Sequence, residues 1–298
     1  MGLTVQIRGL RPGATMCLEL LEKFSPDDID CQISPDPSFR FEKSLELRNT
    51  GFRYPSAGES CLHGVSVRIA RGECVGLVGR SGSGKSTVAM LLAGLLEPTA
   101  GELLVDGKTL TPGGRESFRH RVGFVPQNPL LLPGTIADNI ALSRWGEEYD
   151  RAKVEVAGRL ADMDFLRDNP HGLDYVIGDG GMGLSGGQAQ RVSIARALFG
   201  DPEMLILDEA TSSLDLASEC AITRAIAGLR GRMTSVVIAH RLSTIEHCDR
   251  IIWLDAGRVV ATGTPAEILP SYRESMGGER GHDGLTVVRN EELELATA

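Results

Sequence analysis

Three short stretches of this chain carry residues suited to phosphate chemistry. "GRSGSGKS" (79–86) fits the pattern G-x-x-x-x-G-K-[ST]. Gly79, Gly82 and Gly84 let the backbone curl, so that N–H groups along Arg80, Ser81 and Ser83 point at phosphate oxygens. Lys85 would bridge the β- and γ-phosphates of ATP, Ser86 would place its hydroxyl on Mg²⁺, and Thr87 would reach toward the α-phosphate. "MLILDE" (204–209) is an apolar run that ends in two acids. One reading is a solvated strand edge. With a phosphate loop in the same chain, the better one is Asp208 as metal-positioning carboxylate and Glu209 as general base for water. "GLSGGQAQR" (183–191) looks like a second phosphate loop, with Ser185, Gly186 and Gly187 at the start of a helix, where an anion can bind.

These residues need a scaffold, and the hydrophobic periodicity supplies one. "ECVGLVG" reads as a short buried strand feeding the loop, and "STVAMLLAGLL" as the helix leaving it, ended by Glu97-Pro98. "LELRNTGFRY" and "GVSVRI" alternate as half-buried strands do; "RVGFVPQ", "MLILDEA" and "TSVVIAH" read as further strands, and "RIIWLDAGRVVATG" as a hairpin-like pair. Strands alternating with helices imply a largely parallel sheet covered on both faces. Residues 128–200 read as mostly helical, a subdomain inserted between two strands of the core. Within it, "QAQRVSIARALF" has the period of an amphipathic helix, with Val192, Ala195, Leu198 and Phe199 inward. "PLLLP" reads equally as a packed loop or as an exposed apolar contact.

Composition narrows the function classes. Of 298 residues, 42% are hydrophobic and 24% charged, the balance of a globular protein. The net charge of −9, from 31 basic and 40 acidic residues, speaks against a general nucleic-acid binder. The longest apolar run, "VAMLLAGLL", is far short of the roughly 20 residues that span a bilayer. The six cysteines form no CxxC pair, so reduced thiols are preferred to zinc or disulfides. Residues 1–44 read as a leader with a short amphipathic stretch and an acidic, proline-rich linker; the segment from about 271 to 298 reads as a disordered tail.

Across roughly 45–270 the sequence resembles the ATPase domain of ABC transporters, with several separate motifs in the expected order. Tyr54 in "GFRYP" matches the aromatic that stacks on adenine, and Gln127 in "GFVPQNP" the glutamine loop, a metal and water contact. "LSGGQ" (184–188), with Ser185, Gly186, Gly187 and Gln188, matches the family signature in full. "SLD", ending at Asp215, matches the loop that communicates across the dimer, and His240 in "VVIAHRLSTI" the switch histidine. Taken singly, Tyr54 fits an ordinary strand aromatic, Gln127 a surface turn residue and His240 a histidine at a strand end. "DEATSSLD", "GTIADNI" and "AHRLSTI" look like the exporter branch. "VIGDGG" departs from the exporter pattern: Asp179 is followed by glycines, where the family carries a glutamate and another charge.

The resemblance implies an α/β P-loop NTPase (RecA-like) core, an antiparallel β subdomain and an inserted helical subdomain carrying the signature. It also implies a head-to-tail homo- or heterodimer in which each signature covers the ATP held by the other domain, with two-fold symmetry making the exchange reciprocal. Further implied are ATP and Mg²⁺ as ligands, Glu209, His240, Lys85 and Gln127 as catalytic residues, and Ser86, Gln127 and Asp208 at the metal. A membrane-spanning partner domain or subunit would hold the chain peripherally on the cytoplasmic side, with residues 1–44 as the connection. Two other classes compete. A soluble ABC ATPase acting on ribosomes or DNA usually joins two ATPase domains or inserts long coiled coils, which are not seen here. A silent interaction module conflicts with intact Lys85, Asp208, Glu209 and His240.

Overall fold

The computed structural model describes residues 40–55, 58–142, 148–167, 169–178, 181–208, 216–229, 231, 233–238 and 241–277. Its centre is the strand β3 (Cys74–Val78), buried at every one of its five residues. A strand without a wet face needs cover on both sides, which a parallel sheet between layers provides. β3 lies between β11 (Arg250–Asp255) and β10 (Thr234–Ile238), parallel to both. β9 (Met204–Asp208) and β6 (Val122–Val125) continue the parallel array beyond β10. β12 (Arg258–Gly263) closes the other edge antiparallel to β11, giving the order β12-β11-β3-β10-β9-β6.

A second sheet is antiparallel, in the order β2-β1-β4-β5, from β1 (Ser44–Phe52), β2 (Leu62–Ala70), β4 (Ala100–Val105) and β5 (Lys108–Thr109). Its inner residues, among them Leu45, Leu47, Val65 and Ile69, share one core with Val88, Leu91 and Leu92 of helix α1 (Lys85–Leu92). Between β4 and β5 the chain turns at Asp106 and Gly107, both with positive φ (52° and 79°). The Asp106 carboxylate there accepts hydrogen bonds from the N–H groups of Glu42, Lys43 and Ser44. Phe41 is fully buried. The folded unit therefore begins before residue 45, and only 1–39 of the expected leader lies outside the described residues.

A helical insertion lies between β6 and β9, which are parallel neighbours: the chain between them leaves the sheet and returns. It contains α3 (Ile136–Ala141), α4 (Arg151–Leu160) and α5 (Gly186–Phe199), plus a two-stranded β7–β8 pair (Gly134–Thr135, Val176–Ile177) that its helical reading does not include. Earlier in the chain α2 (Pro112–Arg119) follows β5; later come α6 (Leu216–Leu229), α7 (Leu242–Ile245) and α8 (Pro265–Gly277). Among the described residues no helix is long and apolar enough to cross a membrane.

Two boundaries differ from the sequence pattern. Helix α1 ends at Leu92 rather than near Glu97, because Gly94 takes φ 69°, a left-handed stop that glycine adopts without strain. Helix α8 runs through Gly277, past residue 271, where composition alone sets the start of a polar tail. Buried Ile268, Leu269 and Tyr272 hold it against the sheet, so burial overrides the polar average. Residues 278–298 lie outside the described residues.

Candidate functional site

Register brings the chemistry to one edge of the parallel sheet. Ile238 of β10 is opposite Leu77 on one side and Asp208 on the other, so the carboxyl ends of β3, β10 and β9 are level. Ligands of open α/β sheets bind at that edge. The phosphate loop leaves β3 there and turns into α1, whose first residue is Lys85. It also carries Ser86 across to β9: the Ser86 Oγ donates to Asp208 Oδ1 at 3.1 Å. The buried Lys85 Nζ lies inside the loop, donating to the carbonyls of Gly79 (2.9 Å) and Arg80 (3.0 Å).

Glycine serves the loop in two different ways. A Cβ on Gly79 would stand 2.2 Å from the Leu254 carbonyl oxygen, so this glycine is demanded by the close approach of β11. Gly82 has φ 80° and nothing within 4 Å of a Cβ position, so its concave side is open. That open side faces a cleft of about 480 Å³ lined by Tyr54, Cys61, Ser81, Gly82, Gly84, Lys85, Ser86, Thr87 and Gln127. Tyr54 is fixed by its hydroxyl against Thr87 Oγ1 (3.2 Å) and by an edge-on contact with Phe52 at 4.9 Å between centroids. Cys61, which its solitary place in the sequence does not single out, joins the same corner with its Sγ 3.8 Å from Thr87 Oγ1.

The cleft fits a magnesium nucleotide. Loop N–H groups and the start of α1 suit phosphate. A serine hydroxyl against a carboxylate, with an amide side chain lining the same cleft, is a hard-oxygen set suited to Mg²⁺. Among the described residues no three His, Cys, Asp or Glu side chains group closely enough to hold a metal alone. Mg²⁺ usually keeps several ligands from water and substrate phosphate, so a sparse protein set is what it uses.

The second glycine-bearing stretch is elsewhere: none of Ser185, Gly186, Gly187 or Gln188 lines that cleft. Ser185 is the N-cap of α5 in a reciprocal capping box: its Oγ accepts from the Gln188 N–H (3.2 Å), and its own N–H donates to Gln188 Oε1 (2.9 Å). Ser185 and Gly186 are exposed, while Val192, Ala195, Leu198 and Phe199 are buried as their period requires. The capped α5 thus presents Ser185 and Gly186 of its N-terminus outward, while Gly187 is buried. Glu209, Asp215 and His240, and Asp179 ahead of the signature, lie outside the described residues.

Two residues not singled out by motif connect these regions. Gln190, buried on α5, donates from Nε2 to the Pro126 carbonyl beside Gln127 (3.2 Å). Arg196 donates to the carbonyls of Leu130 (2.6 Å) and Asn139 (2.7 Å), and burial pushes its guanidinium below the ordinary value. The available signal was a polar residue at an inward position of an otherwise apolar helix face, which is paired when it is buried. "PLLLP" divides between its two readings: Leu130 is 66% exposed and Leu131 3%.

Comparison with known proteins agrees with this geometry. Residues 62–212, just over half of the chain, match the family described as ABC transporter. The chain is 47% identical over 231 residues to the ATP-dependent lipid A-core flippase of Yersinia pestis bv. Antiqua, covering 77% of this chain and 40% of that one. The flippase of the same description from Salmonella typhimurium is 47% identical over 229 residues, covering 76% and 39%. The chain spans about two-fifths of the length of these curated relatives. Among solved structures it is similar to that of a bacterial Atm1-family ABC exporter with ATP bound, with TM-score 0.75 and 34% identity over 95% of this chain and 50% of that one. The phosphate loop, the strand β9 that ends in Asp208 and the signature helix α5 all fall within the matched residues 62–212, and the chain belongs to the ABC transporter family.

Proposed function

We propose that this chain is the ATPase engine of an export-type transporter, binding ATP with Mg²⁺ and working as a head-to-tail pair of ATPase domains. The observation that carries the ATPase reading is the Ser86 hydroxyl 3.1 Å from the Asp208 carboxylate, next to Lys85 in the loop. Similarity to flippases and to an exporter supports the direction of transport. A membrane-spanning domain or subunit would hold the chain on the cytoplasmic side of the membrane. The exposed apolar side chains of Leu130 (66%), Val176 (67%) and Met182 (73%), of which Val176 lies on β8, are the proposed docking surface for that partner.

In this mechanism Tyr54 stacks on adenine while Lys85 and the loop N–H groups bind phosphate. Ser86, Asp208 and Gln127 would hold Mg²⁺, which would supply neutralisation of phosphate charge. Glu209 takes the proton of the water that attacks the γ-phosphate, and His240 orients both. Ser185, Gly186, Gly187 and Gln188 act on the nucleotide of the partner domain. The Ser185 oxygen already accepts a capping bond from the Gln188 N–H, which leaves its O–H to donate to an anion alongside the N–H groups of Gly186 and Gly187 at the helix start. Closing two domains over a shared γ-phosphate, and reopening after hydrolysis, drives the membrane partner. Asp215 serves communication across that interface.

The test is Glu209→Gln. ATP binding is expected to persist, turnover to fall at least about 100-fold, and a dimer to accumulate with ATP in light scattering. Ordinary turnover in this variant would remove Glu209 as the base. Tyr54→Ala is expected to weaken affinity for a fluorescent ATP analogue about five- to tenfold, with a smaller loss in kcat. An unchanged affinity would take Tyr54 out of the site.

A further inference from the structure

A phosphate loop works through its backbone N–H groups, so its outer side must be held while its inner side faces the nucleotide. The outer side of this loop meets two other parts of the chain, although Arg80 and Ser81 keep exposed surface. Gly257, in the β11–β12 turn, donates its N–H to the Ser83 carbonyl (3.2 Å). Next to it lies a cavity of about 560 Å³ between the loop residues Gly79, Arg80 and Ser81 and the helical residues Leu242, Tyr272 and Met276.

Helix α8 reaches the loop by two routes. Its Tyr272 packs edge-on against Trp253 of β11, with ring centroids 5.3 Å apart and planes at 82°. Trp253 is the register partner of Val78, the residue immediately before Gly79. Burial pushes the Tyr272 phenol up, and the Gly79 backbone beside it pulls it partly back. The second route is a hydrogen bond: Arg80 Nη2 donates to the Ser275 carbonyl in the last turn of α8, at 3.0 Å. The final carbonyls of a helix lack intrahelical donors and sit at the negative end of its dipole, so a guanidinium suits this position. Arg273, just ahead of that last turn, pairs with Glu246, which follows α7 (2.6 Å), and ties α8 down at a second point.

We propose that α8 is the outer jaw of the phosphate loop, with Arg80 and Tyr272 as positioning residues that hold its backbone in the nucleotide-binding curl. This rests on the ATP-binding reading above. A positioning role sets affinity rather than chemistry, so it separates KM from kcat. Both residues act on one loop through one helix, so their effects are coupled.

The experiment uses the full chain with Arg80→Met, Tyr272→Ala and the double variant, measuring steady-state kinetics and binding of a fluorescent ATP analogue. Each single variant is expected to raise KM for ATP and the analogue Kd about five- to tenfold, with kcat within about twofold. The double variant is expected to be no worse than about the poorer single one. Arg80→Lys, which keeps a cation for the Ser275 carbonyl, is expected to restore KM to within about twofold. Tyr272→Phe guards against misfolding, because it keeps the ring on Trp253 and removes only the hydroxyl beside Gly79; a raised KM with unchanged melting is expected. Unchanged KM in Arg80→Met, a fall in kcat alone, or additive effects in the double variant would each overturn the jaw. A parent chain that fails to bind the analogue would overturn the ATP reading itself, a result distinct from any of these.

Discussion

Lys85→Ala is expected to lower ATP turnover at least about 100-fold and to weaken nucleotide binding with it. The ammonium is buried, with 5% of the residue exposed, and it reaches the loop interior from the first position of α1. Its bonds to the Gly79 and Arg80 carbonyls hold it where phosphate would enter, so it is preorganised rather than recruited. Loss of one preorganised donor to developing charge costs about 10²–10³ in rate, and a cation in a water-poor site is at the strong end of that range. Alanine also removes the side chain that ties the loop to itself, so KM is expected to rise while kcat falls. Steady-state kinetics check both; a rate within about tenfold of the parent would put the phosphate site elsewhere.

Ser185→Arg is expected to abolish turnover for a different reason. Ser185 lies on the exposed N-terminus of α5, and neither it nor Gly186, Gly187 or Gln188 lines the cleft that contains Lys85. Its hydroxyl caps the helix, and loss of such a cap costs about 1 kcal/mol of local stability. That is too little to unfold the domain, so the monomer is expected to keep the ATP affinity of the parent. In the proposed pair, arginine would remove the small, anion-accepting surface offered to the neighbouring domain, and its bulk would block close approach. Titration of the monomer with the fluorescent analogue, beside turnover at high protein concentration, separates the two effects. Loss of binding in the monomer would mean that the signature acts on its own cleft.

Much of this site was legible from residue types and spacing, and the legible parts share a physical property. The phosphate loop, the acid-terminated strand and the inward face of α5 are local patterns, set by glycine positions, by strand burial and by the helical period. Val192, Ala195, Leu198 and Phe199 are buried as that period requires. The parts that escaped depend on contacts between distant segments. Gly79 belongs to a strain-free curl by sequence, but its tightest constraint is the Leu254 carbonyl of a strand far along the chain. Arg196 belongs to no motif, yet it holds the segment after Gln127 through the Leu130 and Asn139 carbonyls. Helix α8 was hidden by its polar average, although Thr264 and Glu267 have the spacing of a helix start and the Thr264 N–H does donate to the Glu267 carboxylate at 2.7 Å. One glycine was decisive in the other direction: Gly94 stopped α1 although the apolar run continued past it.

The two glycine-bearing stretches thus have different positions and different tasks, one closing around a nucleotide and the other facing outward. Whether they meet across a pair of domains is decided by mixing Lys85→Ala with Ser185→Arg. Each variant alone is expected to retain at most about a hundredth of the parent turnover. In a mixed head-to-tail dimer, one composite site combines both defects, and the other joins an intact loop to an intact signature. Random pairing makes half of the dimers mixed, each with one of its two sites intact, so turnover is expected to recover to about a quarter of the parent rate. Turnover no higher than the sum of the two separate variants would show that loop and signature do not act across the pair.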